Sequence, residues 1–279
     1  SSSSSSSSGA PSFDDDEGGG GWVAINAAVE ESTIGLRSSI ERSGGGGFLL
    51  EHDEFVRSNI TERDVLVVSC GGNDVALKPT PWTALSMLVL VRSPTWMIER
   101  GVAPGMGHFV KLFGDATKAY IERVVSLRRP RAVAVCMLYY PDEKASGSWA
   151  DRTLGALGYD ADPTKLQSIL RILFERATSR ICGKIEGVET IVPVPLYEAL
   201  DGKNPEDYAA RVEPSERGGR KMARLLLDSI DPILRGGGAG SGAGACSTAS
   251  MPASAENSSG ADKPDVRIAA MPSPTHLRS

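Results

Sequence analysis

Of 279 residues, 30 are Lys or Arg and 35 are Asp or Glu, giving a net charge of −5, with Asp14, Asp15, Asp16 and Glu17 clustered near the start. The remainder is close to neutral, so the net charge is not evidence of a nucleic-acid or anionic-membrane partner, and no nucleic acid is expected. The longest apolar stretch, Ala84 to Val91, contains a Ser and falls well short of the roughly 18 residues that cross a bilayer, so no membrane span is expected.

Residues 1–21 are Ser, Gly and acidic residues around one Phe, and are expected to be disordered because they offer little apolar area to offset ordering entropy. The chain opens on Ser without a charged-then-apolar leader, so it reads as a fragment or an uncertain gene model. Trp22–Val29 is an apolar run of strand length, followed by a short helix over 33–43 and a surface connection at Gly44–Gly47. His52 lies in Glu51-His52-Asp53-Glu54, which reads as a solvated acidic loop.

Asp64–Cys70 is the second buried strand and runs directly into Gly71 and Gly72. A helix over 80–91 follows, and then a longer one carrying Phe109, Leu112, Phe113, Ala116, Tyr120, Val124 and Leu127 at three- and four-residue spacing, with His108 at its start. Arg123, Arg128, Arg129 and Arg131 balance the dipole at its carboxyl end, and no stacking aromatics accompany them as a nucleic-acid site would need.

Ala132–Leu138 and Val188–Val194 are near-continuous in branched residues, as strands covered on both faces are. Between them lie a long aromatic connection from Tyr139 to Tyr159, read as a lid or as a loop packing its own aromatics, and a helix opened by Asp162-Pro163. A closing helix is expected from Pro214 to Ile230. The Gly/Ala/Ser/Pro stretch 236–279 is expected to be a disordered tail. Residues 22–235 therefore form one α/β domain, three-layered, with a central parallel sheet between helices and its ligands beyond the carboxyl ends of the strands. Cys70, Cys136 and Cys182 lie in or beside apolar segments and Cys246 in the tail, which fits reduced thiols and an intracellular setting.

The sharpest local feature is Gly71-Gly72-Asn73-Asp74, set where a buried strand ends. Glycines there permit a tight turn and close approach, and an Asn side chain can aim two N–H donors into a cleft. Such a fixed amide stabilises a developing oxyanion. The plain alternative is a turn in which Asn73 and Asp74 cap the next segment.

No metal or cofactor is expected. Three His residues without His-Glu-x-x-His or paired Cys spacing do not make a zinc site, and neither glycine cluster has the spacing of a phosphate loop or dinucleotide fingerprint. Ser69 and Cys70 read as strand-end residues rather than nucleophiles.

Together with two further segments, this motif resembles the SGNH (GDSL-type) esterase and lipase family, which carries in order a Gly-Asp-Ser nucleophile, a Gly after the second strand, a Gly-x-Asn-Asp and an Asp-x-x-His. Gly71–Asp74 matches the third block in full. Val23–Thr33 is similar to the second, with Glu31 where the family has Gly. Val194–Ala223 resembles the last, with Ala210, Glu213, Pro214, Ser215 and Gly218 standing in Asp-x-x-His-Pro-Ser/Asn-x-x-Gly. The resemblance implies a flavodoxin-like SGNH fold, Asn73 as the oxyanion donor with Gly72 and Glu213 beside it at catalytic positions, Gly71, Asp74, Glu31 and Ser215 at the oxyanion hole and pocket, and a small-molecule ester as substrate.

Triad chemistry needs a hydroxyl, an imidazole and a carboxylate. The imidazole and carboxylate positions are Glu213 and Ala210, and no Gly-Asp-Ser precedes residue 22. Glu213 would serve as a base only if burial raised its pKa. Two readings follow: an ester hydrolase missing its nucleophile block, or a non-catalytic module that keeps the pocket and binds a small ligand. A nucleotide-binding α/β domain is a third, distinguishable by nucleotide-dependent thermal stabilisation.

Overall fold

The computed structural model describes residues 23–38, 49–235 and 267–270. In chain order the early elements are β1 (Val23–Asn26), α1 (Ile34–Ser38), α2 (Glu51–Asn59), β2 (Val65–Ser69), α3 (Gly72–Ala76), α4 (Pro81–Arg92), α5 (Thr95–Glu99), α6 (Met106–Val110) and α7 (Thr117–Val124). They are followed by β3 (Ala132–Met137), α8 (Asp151–Ala156), α9 (Pro163–Arg176), β4 (Ile191–Pro195), β5 (Tyr208–Ala210), β6 (Glu213–Pro214), α10 (Glu216–Arg235) and β7 (Arg267–Ala270). Residues 1–22, with Trp22, the Gly44–Gly47 connection, Cys246 and His276 lie outside the described residues.

Five strands form one parallel sheet in the order β1-β7-β2-β3-β4, so the fold is α/β with a central parallel sheet as the alternation of elements requires. Alternate residues of β2 and β3 feed two cores. Leu66, Val68, Val133 and Val135 pack with Ile121 and Val124 of α7, while Val65, Val67, Ala132 and Ala134 meet Ile230 and Leu234 of α10. Helices thus cover both faces, and a third core of Leu90, Ile98, Phe109, Phe113, Ile169 and Leu173 lies around Met137 at the end of β3.

Three expectations are corrected here. The stretch 236–279 is not wholly outside the fold, because β7 sits between β1 and β2, pairing four residues with β1 and two with β2. Its sequence, Arg-Ile-Ala-Ala, is too short to announce a strand. β1 is not buried: Val23 and Ile25 are 56% and 38% exposed, because this strand forms the sheet edge. Finally, Glu51–Glu54 is the first turn of α2 rather than a loop. Asp53 turns inward, accepts from the Leu50 amide at 2.8 Å and from Tyr120 Oη at 2.8 Å, and pairs with Arg37. Acidic residues in a first turn suit the helix dipole, which explains why four polar residues could open a helix.

Smaller shifts have local causes. β4 begins later than expected and carries Pro193 and Pro195, which an edge strand tolerates because one side of its ladder is unpaired. The long helix around Phe109–Leu127 is divided by a π-helical stretch at Lys111–Ala116. Among the described residues no helix is long and apolar enough to cross a membrane.

β1 has β7 as its sheet partner, so shortening the chain to end at Arg235 should strip the edge from the sheet. The expected result is a melting temperature lower by about 5 °C or more and rapid proteolysis near residues 23–26, read by thermal unfolding and limited digestion. An unchanged melting curve would contradict the assigned topology.

Candidate functional site

Because the sheet is parallel, the segments leaving β1, β2, β3 and β4 all emerge at one edge. At the end of β2 the chain turns through Gly71, whose φ of +93° lies in the left-handed region. A Cβ there would stand 2.4 Å from the Phe113 ring, so both conformation and space demand glycine. The turn starts α3 at once and places Asn73 and Asp74 in its first turn.

Both side chains reach back to the segment after β1. The Asp74 carboxylate is buried and accepts from the amides of Ile34 at 2.8 Å and Gly35 at 2.9 Å, which are the first donors of α1. Asn73 Nδ2 donates to the Ser32 carbonyl at 3.0 Å. Burial pushes the Asp74 carboxyl above the usual range, while the two amides and the nearby Arg37 pull it back. Asp74 is therefore a structural anchor for the 29–35 turn as well as part of the motif. The Asn73 amide makes no second N–H hydrogen bond among the described residues.

Glu31 has φ +54°, the left-handed non-glycine residue among those described. Its carboxylate is 56% exposed and pairs with Lys78 at 2.9 Å, and Lys78 also reaches the Glu31 carbonyl at 3.3 Å. The bulky charge at this position is thus engaged by a lysine.

On the far side of the edge, β5 and β6 make a small hairpin in which Ala210 faces Glu213. Glu213 is half-buried and accepts from Trp149 Nε1 at 3.1 Å. Ser215 is a helix cap: its Oγ accepts from the Gly218 amide at 3.2 Å and donates to the Glu206 carbonyl at 2.6 Å. Gly218 is required because a Cβ there would lie 2.1 Å from the Asp207 carbonyl oxygen.

The two halves are linked through the end of β3. Gly72 abuts Leu138, with a Cβ position 3.4 Å from its Cδ2, and the neighbouring Tyr139 hydroxyl donates to the Val212 carbonyl at 2.6 Å. Burial, with Glu213 adding a smaller effect, pushes the Tyr139 hydroxyl well above its usual pKa. The structure thus brings Gly71, Gly72, Asn73, Asp74 and Glu31 together directly. It brings Glu213 and Ser215 to the same edge by way of Leu138 and Tyr139. Among the described residues Asn73, Glu31 and Glu213 make no hydrogen bond to one another. A hollow of ≈ 480 Å³ lies along α10, lined by Glu216, Arg217, Arg220, Lys221 and Arg224, and includes none of the three.

One organising residue was not legible in the sequence. Arg211 is fully buried, donates to the Asp142 carbonyl at 3.1 Å and to Asp151 at 3.2 Å, pairs with Asp160 and lies over the Tyr159 ring. A single Arg between Ala210 and Val212 carries no pattern; the signal was the acidic and aromatic content of 139–160, which needed a counter-charge. That connection is an ordered loop with α8 inside it, tied to 200–211 by the bonds Tyr140 N to Leu200 O and Asp142 N to Arg211 O.

The remaining candidates take no part. Cys70 is half-buried beside Thr117, and desolvation lifts its thiol to about 11, which leaves it unreactive at neutral pH. His108 Nε2 bonds Thr83 Oγ1 at 2.9 Å, and burial lowers its pKa, with Lys111 adding to this. His52 is exposed on α2. Among the described residues no group of three or more His, Cys, Asp or Glu is placed to hold a metal ion. No protein-family model, curated protein or solved structure matches the chain.

The loop clasp generates a pH prediction. Desolvation opposes ionisation of Asp151, but the Arg211 hydrogen bond and the amides of Gly147 and Ser148 outweigh it, so its pKa falls below the ordinary 3.8. A depressed carboxyl contributes stability above its unfolded value that is lost as pH falls through the folded one. Amide exchange at Gly147 and Ser148 should therefore stay slow relative to intrinsic rates down to about pH 4 and accelerate below it. Asp151→Asn should show the acid behaviour at neutral pH; equal protection in the variant would contradict the clasp.

Proposed function

We propose that this chain is an SGNH-type, ester-hydrolase-like protein which, with the residues it has, binds a small acyl ligand at the edge holding Asn73 and turns over esters poorly or not at all. The observation that carries the reading is the pairing of a left-handed residue at position 31 with the Gly71–Asp74 turn. The family block that the 23–33 segment resembles has Gly at that position, and φ +54° is the conformation that favours Gly. Asp74 and Asn73 hold this turn in place, so two potential oxyanion donors, the Asn73 amide and the backbone after the turn, belong to one rigid unit.

The last block supports the same reading in its architecture and differs in its chemistry. Pro214, Ser215 and Gly218 perform the turn and capping tasks of Pro-Ser-x-x-Gly, while Ala210 and Glu213 stand where the carboxylate and imidazole would be. Glu213 is engaged by Trp149. Without an imidazole, a hydroxyl at this edge has no base poised to take and return its proton. Binding is retained and proton transfer is lost. The alternative, an active ester hydrolase, is favoured by the intact Gly71–Asp74 motif alone.

The test combines an ester with its unreactive amide isostere. Hydrolysis of p-nitrophenyl acetate by the full chain should equal the buffer background. 4-Nitroacetanilide should raise the melting temperature, with about 1.4 kcal/mol of stabilisation at ten times its Kd, and Asn73→Ala should abolish that rise. Turnover above background that disappears in Asn73→Ala would overturn the non-catalytic assignment, and no thermal shift at any concentration would overturn the ligand site.

A further inference from the structure

α4 has an inverted pattern that neither the fold nor the proposed site uses. A surface helix normally buries an apolar stripe and shows polar residues to water. Here Thr83 and Ser86 are among the buried residues, together with Met87, Leu90 and Val91, and Thr83 is held inside by His108. The outward face carries Trp82 at 64% exposure, Leu85 at 50%, Leu88 at 39% and Val89 at 40%. These positions recur every three or four residues, so they form one stripe opposite the buried side. Arg92, the last residue of α4, is the sole charged side chain of the helix. α5 begins three residues later and adds Trp96, 54% exposed, with the Arg100 guanidinium 5.5 Å from its ring centre.

Between Val75 and Ile98 the chain contains no Asp or Glu; of the cations there, Lys78 is paired with Glu31 and Arg92 closes α4, with Glu99 and Arg100 following at the end of α5. A twelve-residue helix is about 18 Å long, and its exposed stripe offers roughly 400 Å² of apolar surface. That is about half of the 800 Å² per partner of a stable protein interface. Tryptophan at the end of an apolar helix face, with Arg92 and Arg100 nearby, matches the boundary between lipid tails and headgroups.

We infer that the Trp82, Leu85, Leu88 and Val89 face of α4 docks the protein on a phospholipid surface, with Arg92 and Arg100 meeting anionic headgroups. The helix lies along the surface and does not span it. This inference is independent of the hydrolase reading.

The test is sedimentation of the full chain with phosphatidylcholine vesicles, with and without phosphatidylserine, alongside tryptophan emission. The chain should pellet with vesicles, more strongly with phosphatidylserine and less so at high salt, and its emission should shift to the blue. The double variant Trp82→Ser/Leu85→Ser should weaken partitioning about tenfold or more. Both side chains are exposed, so its circular dichroism and melting curve should match the parent. Leu127→Ser, at a residue 60% exposed elsewhere, should bind as the parent does. Failure to pellet, or equal binding by the double variant, overturns the inference. So does a lipid-free dimer abolished by the double variant, which would assign the face to a second copy of the chain.

Discussion

The carboxylate of Asp74, accepting two amides at the start of α1, is the interaction on which the candidate site rests. α1 is five residues long, too short to be stable alone, and its segment follows an edge strand held by β7. Left to itself, the 29–35 turn would have no fixed relation to β2. A buried anion at the first two donors of the helix supplies that relation, and the hydrogen bond from Asn73 to Ser32 adds a second point of attachment. Hydrogen bonds to a charged group contribute about 1.5–3 kcal/mol each, and leaving buried donors unpaired costs a comparable amount. The left-handed residue at position 31 is tolerated because this turn is fastened at both ends.

The same edge is closed on its other side by a different device. Arg211 gathers Asp151, Asp160 and the carbonyls of Asp142 and Glu143, so the aromatic connection after β3 is clamped to the hairpin that carries Glu213. Trp149 leaves this loop to meet Glu213 directly. A carboxylate engaged by an indole N–H helps to position the loop. Tyr139 and Leu138 join the two halves, and both follow from where β3 ends.

How much of this was legible in the sequence varied with the length and pattern of each segment. β2 and β3 were readable because Val-Leu-Val-Val and Ala-Val-Ala-Val-Cys-Met are branched, apolar and followed by turn signals or a change of character. Gly71–Asp74 was readable as a motif, and Gly71 proved to be demanded twice over, by φ and by the Phe113 ring. β7 was not readable: it is four residues long, in a stretch dominated by Gly, Ala, Ser and Pro, and it lies between β1 and β2. Asp53 and Arg211 were missed for another reason. A charged residue reads as solvent-facing unless its partner is known, and the partners Arg37, Tyr120, Asp151 and Asp160 are remote in sequence.

The most direct measurement of the central claim is native-state hydrogen exchange at the amides of Ile34 and Gly35. If Asp74 holds them, both should exchange only through large-scale opening, with protection similar to that of the β2 amides, and Asp74→Ala should release both while leaving β2 protected. Rapid exchange of these two amides in the unmodified chain would show that the turn is not fastened to β2, and the site built on it would not exist.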